Sequence, residues 1–195
     1  MRIFLAIIII IFSFQSSTKA DDIYEFEIEG ISLGDSLLNY YSVEKINEQL
    51  SKVVSTYKSE KIKRVYFMTE ASSNYLQYNI HYINDSSYRI LAVDGIKLYE
   101  GDIEGCYKNQ IEVSNYVENN LSYNNKIEDT SSHRADKTGK SKVKNIRYEV
   151  NSGFFEISCT SWGKELKEDK PWRDTLSVNI SSEEFWDWLT NEAYD

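Results

Sequence analysis

Histidine and cysteine are scarce in this chain, two of each in 195 residues, and each scarcity removes a class of chemistry. A protein metal site needs three or four ligands, and His133 with Asp136 offers two, so no metal and no cofactor is expected. No cysteine lies near the chain start, which argues against a lipid-anchored lipoprotein. Basic side chains number 22 against 31 acidic ones. Such a surface repels phosphate backbones and anionic membrane surfaces, so nucleic acid is not an expected partner. Glycine occurs eight times and proline once, at Pro171, while Ile, Lys, Asn and Tyr are abundant. The favoured residues have AT-rich codons. That bias accounts for the 15 tyrosines, and for Asn-x-Ser triplets at Asn84, Asn120 and Asn179, without a special surface or glycosylation. A phosphate-cradling loop at "TGKS", 138–141, needs a glycine five residues before Gly139; the position holds Arg134.

The one long apolar run, Ile3 to Phe14, is shorter than the roughly 20 residues that span a bilayer. Arg2 precedes it and "SSTKA" follows. A basic start, a short apolar core and a small-residue end describe a secretory signal peptide over residues 1–20, with cleavage near Ala20. The expected compartment is the periplasm or the exterior, without stable membrane insertion. Losing Arg2 and Lys19 leaves 20 basic and 31 acidic side chains, a net charge of −11 for residues 21–195. In an exported protein an isolated pair of cysteines is most simply one disulfide, here Cys106 with Cys159. In "FFEISCTSW" the alternation of Phe155, Ile157 and Cys159 points that sulfur inward.

Hydrophobic periodicity predicts an order of elements. "IYEFEIEG" alternates Tyr24, Phe26 and Ile28 with glutamates, a half-buried strand. "DSLLNYYS" reads as a short helix capped by Asp35. Ser42 opens a second helix with Val43, Ile46, Leu50, Val53 and Val54 on one face. "KRVYFMTE", "YLQYNIHYI", "YRILAV" and "IKLYEG" read as a meander, with Asp94-Gly95 as its clearest hairpin turn. Val113, Tyr116, Val117 and Leu121 mark one face of a helix over 104–121. The stretch 124–141 reads as polar loop, and "KVKNIRYEV" and "FFEISCTSW" as a hairpin. "GKELKEDKPWRD" reads as a charged loop and "TLSVNI" as a strand. "SSEEFWDWLTNEAYD" reads as a closing helix with Ser181 and Glu184 as its capping box. Segregated strands and helices give an α+β fold: antiparallel sheet with helices packed on one face and a single disulfide. A single domain over 21–195 is expected, with a weak subdivision near 122–142.

Two features point toward function. "GDSL" at 34–36 and Leu37 carries the serine nucleophile in one class of hydrolases. That chemistry requires a histidine base and oxyanion donors. The family places an Asp two residues before a C-terminal histidine, and neither His81 nor His133 fits; Asp129 before His133 is too distant by two positions. Ser36 with His133 is therefore a weaker alternative, an esterase. The four tryptophans lie in the last third. Trp188 falls on the core stripe with Phe185 and Leu189, with Trp172 expected to cover it, while Trp186 points away and is the one candidate for binding.

The stretches "FEIEGISLGDSLLNYYS", "YEGDIEGCYKNQ", "ADKTGKSKVKNIRY" and "EEFWDWLTNEAYD" resemble a group of small secreted proteins of AT-rich marine alphaproteobacteria. That group has no assigned activity, so the resemblance implies export and nothing catalytic. The expectation is an exported, non-enzymatic binding or envelope-associated protein, with an unknown protein or small molecule as partner.

Overall fold

The computed structural model describes residues 19–52, 57–71, 73–169 and 172–194. The signal segment before Lys19 lies outside the described residues, as do Val53 and Val54 of the predicted second helix. A seven-stranded, wholly antiparallel sheet dominates the chain. Its strands are β3 (Ile62–Met68), β4 (Gln77–Ile83), β5 (Ile90–Leu98), β6 (Asn125–Ser132), β7 (Lys142–Val150), β8 (Gly153–Ser161) and β9 (Thr175–Ser182). They stand in the order β3-β4-β5-β9-β8-β7-β6. Two meanders thus meet where β5 pairs with β9, and one sheet runs through both sides of the 122–142 stretch. A small ribbon, β1 (Glu27–Ile28) with β2 (Ile31–Ser32), lies outside it. The helices are α1 (Val43–Leu50), α2 (Ile103–Asn120), α3 (Lys164–Asp169) and α4 (Glu183–Asn191). The α+β class and the Cys106–Cys159 disulfide are as the sequence indicates.

Alternation along the strands sorts the sheet into two faces. One carries Val65, Phe67, Tyr78, Ile80, Val93, Ile146, Tyr148, Phe155, Ile157, Leu176, Val178 and Ile180, all in the main core. The N-terminal segment, α1 and α2 cover it, contributing Ile23, Ile28, Leu37, Ile46, Val117 and Leu121. On the other face a smaller core gathers Ile62, Leu91, Ala92, Phe185, Trp188 and Ala193. Among the described residues α4 and Tyr57 cover one end of that face.

Helix α2 touches the sheet through side chains four residues apart, one turn each. Cys106 is bonded to Cys159. The buried Gln110 amide donates to the carbonyls of Lys144 and Ile157, both at 2.8 Å. Ser114 Oγ lies 2.6 Å from Tyr148 Oη, and Glu118 accepts from Tyr148 at 3.0 Å. The helix is therefore rotated from the expected face: Val117 and Leu121 are buried, but Tyr116 is 60% exposed.

Other local readings are corrected by what the side chains find to bond. Residues 24–28 are not one strand. Asp22 accepts from the Tyr24 amide at 3.0 Å and caps a 3-10 turn, Ile23–Glu25, before β1. Ser36, not Asp35, caps the turn Leu37–Asn39, and Asp35 accepts instead from Tyr40 Oη. Asp94-Gly95 is not a hairpin but the middle of β5. The stretch read as loop contains the edge strand β6, which shows no apolar alternation because most of it is exposed. The charged loop contains α3. Ser182, not Ser181, caps α4, accepting from the Phe185 amide at 3.1 Å. Trp172 lies against Trp162 at 4.3 Å rather than over Trp188.

Candidate functional site

One opening lies beside α2, where Val113 at the edge of the main core and the exposed Tyr116 face the N-terminal segment. It is a groove of about 430 Å³, within the range of small-molecule sites. Phe155 and Val178 of the sheet form its floor, α2 one wall, and Phe26 to Glu29 with Asn74 and Tyr75 the other. Phe26 meets Phe155 edge-on at 5.1 Å and Tyr116 at 6.3 Å, so three rings line one end.

The second wall is held by one carboxylate. Glu29 sits at φ +46, and its side chain accepts from Ser73 Oγ at 2.7 Å, the Asn74 amide and side chain at 2.9 Å each, and Tyr78 Oη. Partial burial pushes its pKa up, but these four donors outweigh that and bring it to about 2. Glu29 thereby ties the β1–β2 turn to the β3–β4 loop. The Tyr75 ring packs on the Cα of Gly95, where a Cβ would stand 2.8 Å from it. Burial lifts the Tyr75 hydroxyl to about 12, so it stays neutral.

Charge at the rim is one-sided. Glu27 and Glu112 face the groove, and among the described residues neither joins an ion pair. Glu112 accepts a hydrogen bond from Asn109 at 3.2 Å. Lys97 lines a smaller adjoining hollow, with its ammonium 5.5 Å from the Tyr99 ring centre.

Ser36 and His133 share no hydrogen bond. The Ser36 hydroxyl donates to the Ser87 carbonyl at 2.8 Å and accepts from the Leu38 amide at 3.4 Å. His133 Nδ1 accepts from the Ala135 amide at 3.1 Å, and its ring lies 4.2 Å from Trp162. His81 is buried beneath Phe185 at 4.5 Å, and burial drives its pKa down to about 3. The "TGKS" loop wraps a carboxylate of its own chain. Asp136 accepts from Thr138 N and Oγ1 at 2.8 and 2.7 Å, and from Ser141 N and Oγ at 2.7 and 2.6 Å. Those donors hold Asp136 well below the usual carboxylate range. Among the described residues no three His, Cys, Asp or Glu side chains are grouped to hold a metal.

Trp186, 39% exposed, stands edge-on to Phe154 at 5.6 Å, with the Arg147 guanidinium 4.9 Å from its ring. The sequence does not single out the groove as a site: Val113 and Tyr116 mark one face of a helix, and helical spacing cannot say what that face meets. Family models, curated proteins and solved structures return no match to this chain.

Proposed function

We propose that this is an exported, non-enzymatic binding protein whose groove beside α2 takes a small organic cation with an apolar or aromatic body. One observation carries the reading: an aromatic-lined groove rimmed by Glu27 and Glu112, which join no ion pair among the described residues. A positive charge gains from Glu27 and Glu112, and from the ring faces of Tyr116 and Phe26. The apolar body gains by covering Phe155 and Val178. Export is supported by the signal-like start and by a disulfide that belongs in an oxidising compartment. Ala20 is held by two backbone bonds, to Asn120 O at 3.0 Å and from Ser122 N at 2.7 Å. Cleavage after Ala20 would give these up while leaving the Asp22 cap intact. Among the described residues no helix is long and apolar enough to cross a membrane. The capping role of Ser36 favours a structural over a nucleophilic serine.

The test is calorimetric titration with phenethylamine, benzyltrimethylammonium and hexylamine, against benzyl alcohol and phenylacetate. The amines should bind and phenylacetate should not. Val113→Trp should fill the groove and abolish binding, and Glu27→Gln with Glu112→Gln should weaken it about tenfold, on the order of 1.4 kcal/mol. Equal binding of benzyl alcohol, or binding indifferent to Val113→Trp, would overturn the assignment. A fluorophosphonate probe should leave Ser36 unlabelled.

A further inference from the structure

On the sheet face opposite the groove, the strand register lines up one residue from every strand. Tyr66 stands opposite Asn79, Asn79 opposite Asp94, Asp94 opposite Asn179, Asn179 opposite Glu156, Glu156 opposite Arg147, and Arg147 opposite Ile127. The next row outward runs Met68, Gln77, Ile96, Ser177, Ser158, Asn145 and Asp129, apolar on β3 and β5 and polar on the other strands. Helix α4 covers only the row on the other side, where His81, Ala92, Ser181 and Phe154 are buried; no residue of the two open rows is.

These side chains are braced sideways. Asp94 accepts from Ser177 Oγ at 3.1 Å and Asn179 at 2.9 Å on one oxygen. Glu156 accepts from Arg147 at 2.8 Å, and Asn145 reaches Asp129 at 3.3 Å. The bracing leaves valences unspent among the described residues. The second Asp94 oxygen and the terminal nitrogens of Arg147 make no hydrogen bond or ion pair there, and the Arg64 guanidinium lies over the Tyr57 and Tyr66 rings without one. Arg64 Nε and His81 Nδ1, beside the row, are buried without a partner. Rings close the row at each end: Tyr66 under Arg64 at 4.9 Å, and Phe154 and Trp186 under Arg147 at 4.2 and 4.9 Å. Trp186 also walls a hollow of about 200 Å³ there.

We propose that this face is a second binding site, for a neutral oligosaccharide lying across the strands from Tyr66 to Trp186. Vicinal hydroxyls both donate and accept, which matches carboxylate, amide and guanidinium side chains set side by side. The C–H face of a sugar ring suits an aromatic ring at each end. From β3 to β7 is five strand spacings, about 24 Å, room for several sugar rings in line. Charge selects a neutral chain. Arg147 offsets Glu156, and the Arg64 charge acts on Asp94 without an ion pair, while the chain as a whole is strongly acidic and repels polyanions. An extended peptide would seek an open strand edge rather than a face. A protein partner would want an apolar centre, where the row through Asn79, Asp94, Asn179 and Glu156 is polar.

The test is NMR mapping and calorimetry with cellohexaose, laminarihexaose, chitohexaose, maltohexaose and mannohexaose, with hexagalacturonate as the charged counterpart. At least one neutral hexamer should bind and shift amides of β4, β5, β9 and β8. Its trimer should bind at least tenfold more weakly, a comparison that needs no variant. Asn79→Ala and Trp186→Ala should each weaken the hexamer tenfold or more, and the groove variant Val113→Trp should leave it unchanged. Failure of all five hexamers at millimolar concentration, tighter binding of hexagalacturonate, or shifts confined to the groove would overturn the proposal.

Discussion

Asp94→Asn should stabilise the protein at neutral pH and do nothing at pH 4. The Asp94 carboxyl stands mid-sheet, half-buried among its neighbours, and the loss of hydration there lifts its pKa from 3.8 to about 6. Hydrogen bonds from Asn179 and Ser177 and the charge of Arg64 oppose the rise, and Glu156 adds to it. The folded state therefore holds this proton more tightly than the unfolded chain does. The stability it contributes is full below about pH 4 and is lost as pH rises through 6. A shift of about two units corresponds to roughly 3 kcal/mol, and partial exposure of the side chain reduces the expected effect to about 1–2 kcal/mol. Asparagine keeps an acceptor oxygen for Ser177 and Asn179 and never ionises. Urea unfolding at pH 4, 5, 6 and 7.5, with the disulfide intact, should show the variant level with wild type at pH 4 and more stable by about 1–2 kcal/mol at pH 7.5. His81 and Glu29 titrate in the opposite sense but are common to both proteins and cancel in the difference. A variant less stable than wild type at pH 7.5, or a difference that does not change with pH, would refute the reasoning. So would a carboxyl carbon titration of Asp94 with its midpoint below 4.5.

Three further outcomes can be measured on the same protein. Cys106 and Cys159 are 53 residues apart, so replacing both by alanine should cost roughly 4 kcal/mol on the chain-entropy model; a loss under 1 kcal/mol in urea melts would contradict it. Gly95→Ala should cost about 1–3 kcal/mol because its Cβ meets the Tyr75 ring at 2.8 Å, and the cost should shrink in a Tyr75→Ala background; equal costs in both would show that the ring is not the obstacle. Glu29 titrates at about 2 in the folded state, below its ordinary 4.5, so its contribution is full above pH 4.5 and lost as pH falls toward 2. Glu29→Gln should flatten that acid limb and speed amide exchange at Ser73 to Tyr75, and protection equal to wild type there would show the β3–β4 loop is held by something else.

Periodicity found most of the strands and the long helices, and its misses have a common cause. It weighs a side chain by hydrophobicity, whereas several decisive contacts here are covalent or hydrogen-bonded. Helix α2 was legible, but its sheet-facing turns carry Cys106, Gln110, Ser114 and Glu118, which look like solvent residues until the disulfide and the Tyr148 hydroxyl are in place. Asp94-Gly95 matches the favoured hairpin pair, yet Ser177 and Asn179 receive the carboxylate and Tyr75 requires the missing Cβ, so strand pairing overrides turn propensity. The caps at Ser36 and Ser182 each lie one residue beyond the expected position, because the residue whose oxygen reaches the free amides is decided by local dihedrals.

The two candidate sites differ in how far they could be read. The groove joins residues 26–29, 74–75, 112–116, 155 and 178, brought together by a helix crossing and by Glu29 reaching a loop 44 residues away; no local pattern encodes it. The open face is different. The alternation that turns Phe155, Ile157 and Cys159 inward necessarily turns Glu156 and Ser158 outward, and the same holds for Ser177 and Asn179 on β9. The turn at Asn151 and Ser152 sets Val150 opposite Gly153, and every pair down to Arg147 with Glu156 follows by counting. Its polar chemistry was therefore present in the sequence from the start. Helical spacing likewise sets Trp188 in the core and turns Trp186 away; only the reach of α4, which leaves Trp186 at the end of the open row, was not legible.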